Sequence, residues 1–459
     1  MTQNHYPSAL PQYTDYDSIL QVFKIYAARH HDKVFIRYQP QPASLEYKVL
    51  TYGQVDSITT YLAKIWEPTF LQPSSSSCLH KSQEEKDDLR ATVQEKECLA
   101  VLNADPVQSV LTFFATLKLG LIYFPLGTND SDAAVIHLLQ NTNARYLVTS
   151  ESCYLKASRC AREVMMTAAA RTTTDNPTAA TRANIQIKIW NDQFNIDEIA
   201  NKINLTSSSS PATITKSISQ LAISSYNNNT CNISLLEDEN QEQILPLDDD
   251  STIGGESCSK KETPSNDIVV YLHTSGSTSL PKLIGLDTRS ILYSSFVVLS
   301  QRMHDANIPF ETSDVLLIPI LLITGPDINI LLSTIVGGAS IVVFHNNEPK
   351  PSDLLAASEM FHATFLFAPQ IIFEQLAKYL MAKEQQEQKQ EMIDYDIHDG
   401  SDRYQKKITA LFERMKCCLY FGSMLCEPIG DFLRSKGLNL QSLYGTTGME
   451  DIFFFLLHL

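Results

Sequence analysis

Residues Tyr271–Lys282 read YLHTSGSTSLPK. Val269, Val270 and Tyr271 lead in as a buried strand would. The chain then runs through Thr274, Ser275, Gly276, Ser277, Thr278 and Ser279 before Pro281 and Lys282 close the stretch. Small hydroxyl residues around a glycine let backbone N–H groups and hydroxyls converge on an anion, because no bulky Cβ substituent blocks the approach. A lysine a few residues later adds a point charge suited to phosphate oxygens. The spacing is not that of a Walker loop, which needs GxxxxGK followed by Ser or Thr. A Ser/Thr-rich surface turn has the same composition, but the strand lead-in, the two threonines and the Pro-Lys ending favour a phosphate loop.

TSGSTSLPK (274–282) resembles the phosphate-binding signature TSGSTGxPK of adenylate-forming enzymes, which include acyl-CoA synthetases, nonribosomal-peptide adenylation domains and fungal carboxylate reductases. Ser279 stands where the signature has glycine, a change that costs about 1 kcal/mol or more if the backbone there needs a positive φ. Two upstream segments follow in the family's order. LTYGQVD (50–56) resembles its LTYxQVD segment, and LKLGLIYFPL (117–126) resembles LKxGxxYxPL. The second of these is by itself only a helix–turn–strand unit of any α/β protein, so it adds order rather than chemistry.

A fourth segment, CCLYFGSMLCEPIGDFLRSKGLNLQSLYGTTGMED (417–451), resembles the family pattern GGAPLxxxxGDxLxxxGxxLxxxYGxTE. The resemblance implies an α/β fold of two doubly wound subdomains with a small β-barrel-like part. It implies ATP-dependent adenylation of a carboxylic acid with Mg2+, and a carrier-protein phosphopantetheine or CoA as candidate acceptor. Thr274, Ser275, Gly276, Ser277, Thr278 and Lys282 would hold the β- and γ-phosphates. Gly422, Ser423, Tyr444, Gly445 and Thr446 would bind the nucleotide, with Tyr444 against adenine, and Thr447 would bind the α-phosphate. Lys282 and Thr447 are the expected catalytic residues. The fungal nonribosomal-peptide-synthetase-like or carboxylate-reductase type is the nearest in pattern.

Several positions depart from the family. Phe421 replaces the first glycine of the last pattern, and Gly448 stands where a metal-binding glutamate is expected. The nearest carboxylates are Glu450 and Asp451, of which Glu450 is the candidate ligand. Mg2+ needs hard oxygen donors, so such a site is weakened or shifted in register. Leu321, Leu322, Ile323 and Thr324 occupy the place where the family carries a His or aromatic group lining the acyl pocket. The family's ribose-binding Asp motif, hinge and lysine-bearing C-terminal domain have no counterpart before residue 459. Three readings follow: an adenylating core, a nucleotide-binding pseudoenzyme, or a gene fragment.

The 459 residues carry a net charge of −16, which argues against nucleic acid as the main partner. Nine cysteines without CxxC or Cys/His ligand spacing, behind a polar start MTQNHYPS, read as reduced cytoplasmic thiols. The sequons at Asn228 and Asn232 are then idle. Val315–Phe344, the most apolar region, is cut by Pro319, Gly325, Pro326 and Asp327, and reads as a buried strand–helix–strand rather than a membrane span.

Along the chain, residues 1–156 form a first α/β part with a polar loop insertion at about 68–96. Residues 157–266 are rich in Thr/Ala repeats, SSSSP, NNNT and an acidic run, and read as a largely disordered insertion with one strand near Ile185–Trp190. Residues 267–459 form the second α/β part, with a charged helix extension at about 383–402. A helix is expected over Asp287–Ser300, placing the loop's glycine near a helix N-terminus. His137, on the helix that also carries Val135, Leu138 and Leu139, receives no role. Phe453–Leu457 reads as a core strand or an altered end.

Overall fold

CLAVL (98–102), YLVTS (146–150), VLLI (315–318) and SIVV (340–343) are buried along their length. Such runs suit parallel strands covered on both faces, where no position meets water. The computed structural model describes residues 11–40, 46–70, 96–142, 144–172, 185–190, 196, 199, 267–274, 280–319, 322–345, 349–393, 399–444 and 455–457. Its strands are β1 (Val34–Tyr38), β2 (Lys48–Thr51), β3 (Cys98–Leu102), β4 (Ile122–Pro125), β5 (Tyr146–Ser150), β6 (Gln186–Trp190) and β7 (Ile268–His273). They continue with β8 (Leu283–Asp287), β9 (Val315–Ile318), β10 (Ser340–Val343), β11 (Phe365–Pro369), β12 (Cys417–Phe421), β13 (Leu440–Tyr444) and β14 (Phe455–Leu457).

Two sheets form. One has the order β14-β13-β12-β11-β9-β10-β1-β2, the other β6-β5-β3-β4-β7-β8. Pairing is parallel except for the edge strands β14, β2 and β8. Side chains alternate across each strand, so each sheet offers two apolar faces. Leu99 and Val101 of β3 face a shared central layer with Leu316, Ile318, Ile341 and Val343 of the larger sheet. That layer is filled by the helices Ile19–Arg29, Tyr52–Phe70, Pro106–Lys118 and Gly325–Gly337. Phe23 and Phe114 stack there at 4.0 Å and 19°, a pairing worth about 0.5–1.5 kcal/mol beyond the area it buries. Cys98, Ala100 and Leu102 point the other way, beneath the helices Asp132–Thr142 and Tyr154–Thr172. Val315, Leu317 and Val342 do the same under Pro351–Met360, Gln370–Ile393, Asp399–Glu413 and Glu427–Ser435. The result is five layers, helix–sheet–helix–sheet–helix.

Local chemistry sets where the helices start. Asp105 caps Pro106–Lys118 by accepting from the Gln108 N–H at 3.0 Å, with Pro106 in the first turn. Ser18 caps Ile19–Arg29 through the Gln21 N–H at 3.1 Å. An uncompensated N-terminal amide at either place would cost about 1 kcal/mol.

Three expectations change. Both sheets are open, and no barrel closes among the described residues. The loop after β7 leads into the antiparallel strand β8, and the helix begins only at Thr288, capped by the Asp287 carboxylate. The loop therefore sits at the far end of a five-residue strand from that helix N-terminus. That helix is α-helical over Thr288–Tyr293, π-helical over Ser294–Ser300 and α-helical again over Gln301–Asp305. The helix Tyr154–Thr172 runs through residue 157, and its Ala157, Cys160, Ala161 and Val164 are buried. Gly53 lies in the first turn of the helix Tyr52–Phe70, and a Cβ there would meet the His31 ring at 2.3 Å. The strand expected near Ile185–Trp190 is β6, and residues 201–266 lie outside the described residues. No helix among the described residues is long and apolar enough to cross a membrane.

Candidate functional site

β7 and β8 form a hairpin whose last pair is His273 and Leu283. Beyond that pair the chain is fastened again. The Thr274 N–H donates to the Lys282 carbonyl at 3.0 Å, and the Lys282 N–H donates to Thr274 Oγ1 at 3.0 Å. Thr274 thus uses both backbone and hydroxyl to hold the two ends of the loop together. Lys282 is exposed, next to a buried Pro281. Ser275, Gly276, Ser277 and Thr278 lie outside the described residues.

His273 was not singled out by the sequence, yet it joins this loop to the rest of the sheet. Its side chain is only 9% exposed. Nδ1 lies 3.2 Å from the Thr274 carbonyl oxygen, and Nε2 lies 3.3 Å from Asp130 Oδ2. Asp130 sits in the turn after β4, the strand beside β7. Its carboxylate accepts the Gly127 N–H at 2.8 Å, and Lys156 donates to the carbonyl oxygens of Thr128 (2.8 Å) and Asp130. A His before the signature and an Asp in GTND gave no spacing signal, because the pair forms only when β4 and β7 lie side by side.

The second cluster is on the larger sheet. Phe421, in place of a glycine, stacks on Phe367 of the neighbouring strand at 4.7 Å and 18°. Gly422 follows with φ +96°, and a Cβ there would meet nothing within 4 Å. Backbone conformation rather than crowding demands glycine at this position. Ser423 Oγ donates to Gln370 Oε1 at 3.1 Å, tying the turn after β12 to the helix after β11. Tyr444 ends β13, where its backbone pairs with Phe455. Gly445, Thr446, Thr447 and Glu450 lie outside the described residues.

Thr274, Gly422 and Tyr444 all mark carboxyl ends of strands within parallel sheets, the edge at which open α/β sheets bind ligands. The two edges approach each other just past the carboxyl ends of β10 and β3, one strand from each sheet: His345 Nδ1 lies 4.0 Å from Asp105 Oδ2. Burial raises the Asp105 carboxyl above its usual range, against the opposing pull of its contacts with Gln108, His345 and Val107. Among the described residues, no hydrogen bond or ion pair links Thr274 or Lys282 directly to Gly422 or Ser423.

Below this crevice, the segment expected to line an acyl pocket turns through Leu322, at φ +57° and 3% exposure, into the helix Gly325–Gly337. Asp327 closes that turn by accepting the N–H groups of Ile323 (3.1 Å) and Thr324 (2.9 Å). Burial pushes its carboxyl up to about 6, only partly offset by those bonds. Among the described residues, Asp327 Oδ1, the Tyr123 hydroxyl and Asn329 Nδ2 are buried without a hydrogen-bond partner. No group of three or more His, Cys, Asp or Glu side chains among the described residues could hold a metal ion.

Known structures share this architecture. The Klebsiella oxytoca NpsA N-terminal subdomain in complex with 3-hydroxyanthranilyl-AMSN superposes with a TM-score of 0.53 at 13% identity, over 99% of this chain and 79% of that one. The luciferase-like enzyme of the nonluminescent Zophobas morio mealworm gives 0.55 at 15% identity, over 97% and 75%. ATP-bound MatB from Rhodopseudomonas palustris gives 0.53 at 12% identity, over 93% and 60%. These likenesses establish the fold. No curated protein matches the chain. Residues 89–450 match the family model for the AMP-binding enzyme, which spans most of the chain and both halves of the crevice. The chain therefore belongs to the AMP-binding, adenylate-forming enzyme family.

Proposed function

We propose that this chain uses ATP to activate a carboxylic acid as its adenylate. The observation that carries the reading is the fastened hairpin. Thr274 holds the ends of a Ser/Gly loop at the carboxyl edge of a parallel sheet, with Lys282 exposed beside it. Family membership supports it, as do the ATP bound to MatB and the acyl-AMP analogue bound to the NpsA subdomain. In that reaction a carboxylate oxygen bonds to the α-phosphorus. The bond from that phosphorus to the bridging oxygen breaks, and pyrophosphate leaves with the electron pair. The protein contributes position and charge.

In this reading the residues 274–278 and Lys282 hold the β- and γ-phosphates. Gly422 and Ser423 line the nucleotide, Tyr444 lies against adenine with Gly445 and Thr446 beside it, and Thr447 contacts the α-phosphate. Mg2+ would add charge neutralisation. Glu450 is its candidate ligand. A carrier-protein phosphopantetheine or CoA is the candidate acceptor of the acyl group. Gly448 favours a second reading, a protein that binds the nucleotide without turning it over.

Carboxylate-dependent ATP–pyrophosphate exchange over aryl, aliphatic and amino acids tests both, with Gly448→Glu alongside. Exchange by the unmodified chain supports acid activation. Exchange only in the glutamate variant supports the second reading. ATP failing to bind at all overturns both.

A further inference from the structure

We propose that His273 is a positioning residue for the phosphate loop, bridging Thr274 and Asp130 so that the loop's two ends are set for a nucleoside triphosphate. This role rests on the phosphate-binding reading above and assigns work to two side chains outside the TSGSTSLPK stretch.

The geometry is a chain of contacts from a helix to the loop. Lys156, on the helix Tyr154–Thr172, donates to the carbonyl oxygens of Thr128 and Asp130 and so fixes the turn after β4. Within that turn the Asp130 N–H donates to the Gly127 carbonyl at 3.1 Å, and the Asp130 carboxylate accepts the Gly127 N–H at 2.8 Å. A Cβ at position 127 would lie 2.7 Å from that carboxylate, so the close approach requires glycine. The immobilised carboxylate lies 3.3 Å from His273 Nε2, and His273 Nδ1 lies 3.2 Å from the Thr274 carbonyl. That carbonyl belongs to the peptide that opens the loop. Because peptides are planar, holding it fixes the plane in which the chain enters. Thr274 then passes the constraint to Lys282 through two hydrogen bonds.

Both ring nitrogens face acceptors, a carbonyl and a carboxylate. A neutral imidazole has one N–H and satisfies one of them; the doubly protonated ring satisfies both. A His that served only to fill space between strands would need neither. A phenyl ring fills the same space but offers neither acceptor a donor from position 273, while Asp130 keeps its bond from the Gly127 N–H, which makes His273→Phe the discriminating change.

Calorimetry of ATP and of AMP, with hydrogen exchange at the Thr274 and Lys282 amides of the nucleotide-free protein, tests the role. His273→Phe is expected to weaken ATP binding about tenfold, the effect of losing the hydrogen bond to Thr274 together with the contact to Asp130. It should leave AMP affinity unchanged and speed exchange at both amides. His273→Gln, which can still donate to Asp130, should recover part of the ATP affinity. If His273→Phe does not fold, Asp130→Asn makes the same comparison from the other side of the contact. Equal loss of ATP and AMP affinity, or unchanged exchange at both amides, overturns the role while leaving acid activation standing. If the wild-type chain binds no ATP, the activation reading falls, and the exchange rates alone then decide whether His273 positions the loop.

Discussion

Thr274 and Lys282 exchange two hydrogen bonds at 3.0 Å, one backbone to backbone and one from the Lys282 N–H to the Thr274 hydroxyl. A hydroxyl at position 274 is therefore a structural part of the loop and not only a donor for phosphate. Thr274→Ala removes the acceptor while leaving the backbone bond, and Thr274→Ser keeps both. A net hydrogen bond is worth about 0.5–1.5 kcal/mol, so ATP affinity should fall about two- to tenfold in the alanine variant. The serine variant should match wild type. Calorimetric titration with ATP makes the comparison, and equal loss in both variants would show that the methyl group matters instead.

Lys282 is exposed at the loop's end, where its ammonium can meet phosphate oxygens without first giving up a buried partner. Lys282→Ala should weaken ATP binding by about 1.5–3 kcal/mol, the usual worth of a hydrogen bond to a charged group. AMP, lacking the outer phosphates, should bind the variant as it binds wild type. The wild-type affinity should also fall as salt is raised, and less steeply in the variant. Identical ATP titrations for the two proteins would remove Lys282 from the site.

Asp327 yields a pH prediction. Its folded carboxyl is raised by burial from 3.8 to about 6. A raised carboxyl favours folding fully below the unfolded value and loses that contribution as pH climbs through the folded one. Above pH 6 the protein carries a buried carboxylate at a cost of about 3 kcal/mol. Asp327→Asn keeps an oxygen for the Ile323 and Thr324 amides and removes the charge. The variant should melt higher than wild type at pH 7.5 and show no gain at pH 4. Melting curves at the two pH values decide the matter; a variant less stable at both would mean that the amides need the charged acceptor.

Much of the fold was legible because local rules and tertiary packing agree. The apolar region Val315–Phe344, cut by Pro319, Gly325 and Pro326, reads as the buried strand–helix–strand that the structure forms in β9, the helix Gly325–Gly337 and β10. The hairpin was missed for a physical reason. Leu283–Asp287 reads LIGLD, too short and too interrupted by Gly285 to signal a strand, and only pairing with β7 makes it one. At the site, the motif residues Thr274, Lys282 and Gly422 stand out because their chemistry is local. His273 and Asp130 are 143 residues apart in the chain and meet only through sheet order, which no spacing rule conveys.

The opposite edge of the larger sheet allows stability to be separated from nucleotide binding. Asp314, 1% exposed, precedes β9 and accepts from the Thr364 hydroxyl at 2.9 Å and the Glu311 N–H at 2.8 Å, and it pairs with Lys416 at 3.0 Å. Lys416 also pairs with Glu311 at 2.6 Å. Burial works against the Lys416 ammonium, but the two carboxylates more than offset it and hold its pKa above the ordinary value. These residues lie at the amino ends of β9, β11 and β12, away from Gly422 and Tyr444 at the carboxyl ends. Lys416→Met removes the cation and leaves Asp314 charged and buried. Breaking a buried pair from one side costs about 3–5 kcal/mol, and the remaining exposure of Lys416 puts this case toward the lower figure. The variant should unfold at clearly lower denaturant concentration, while the part that remains folded binds ATP with wild-type affinity. Loss of ATP affinity in fully folded protein would show that the amino edge is coupled to the crevice through the strands, and that the two edges cannot be treated as independent.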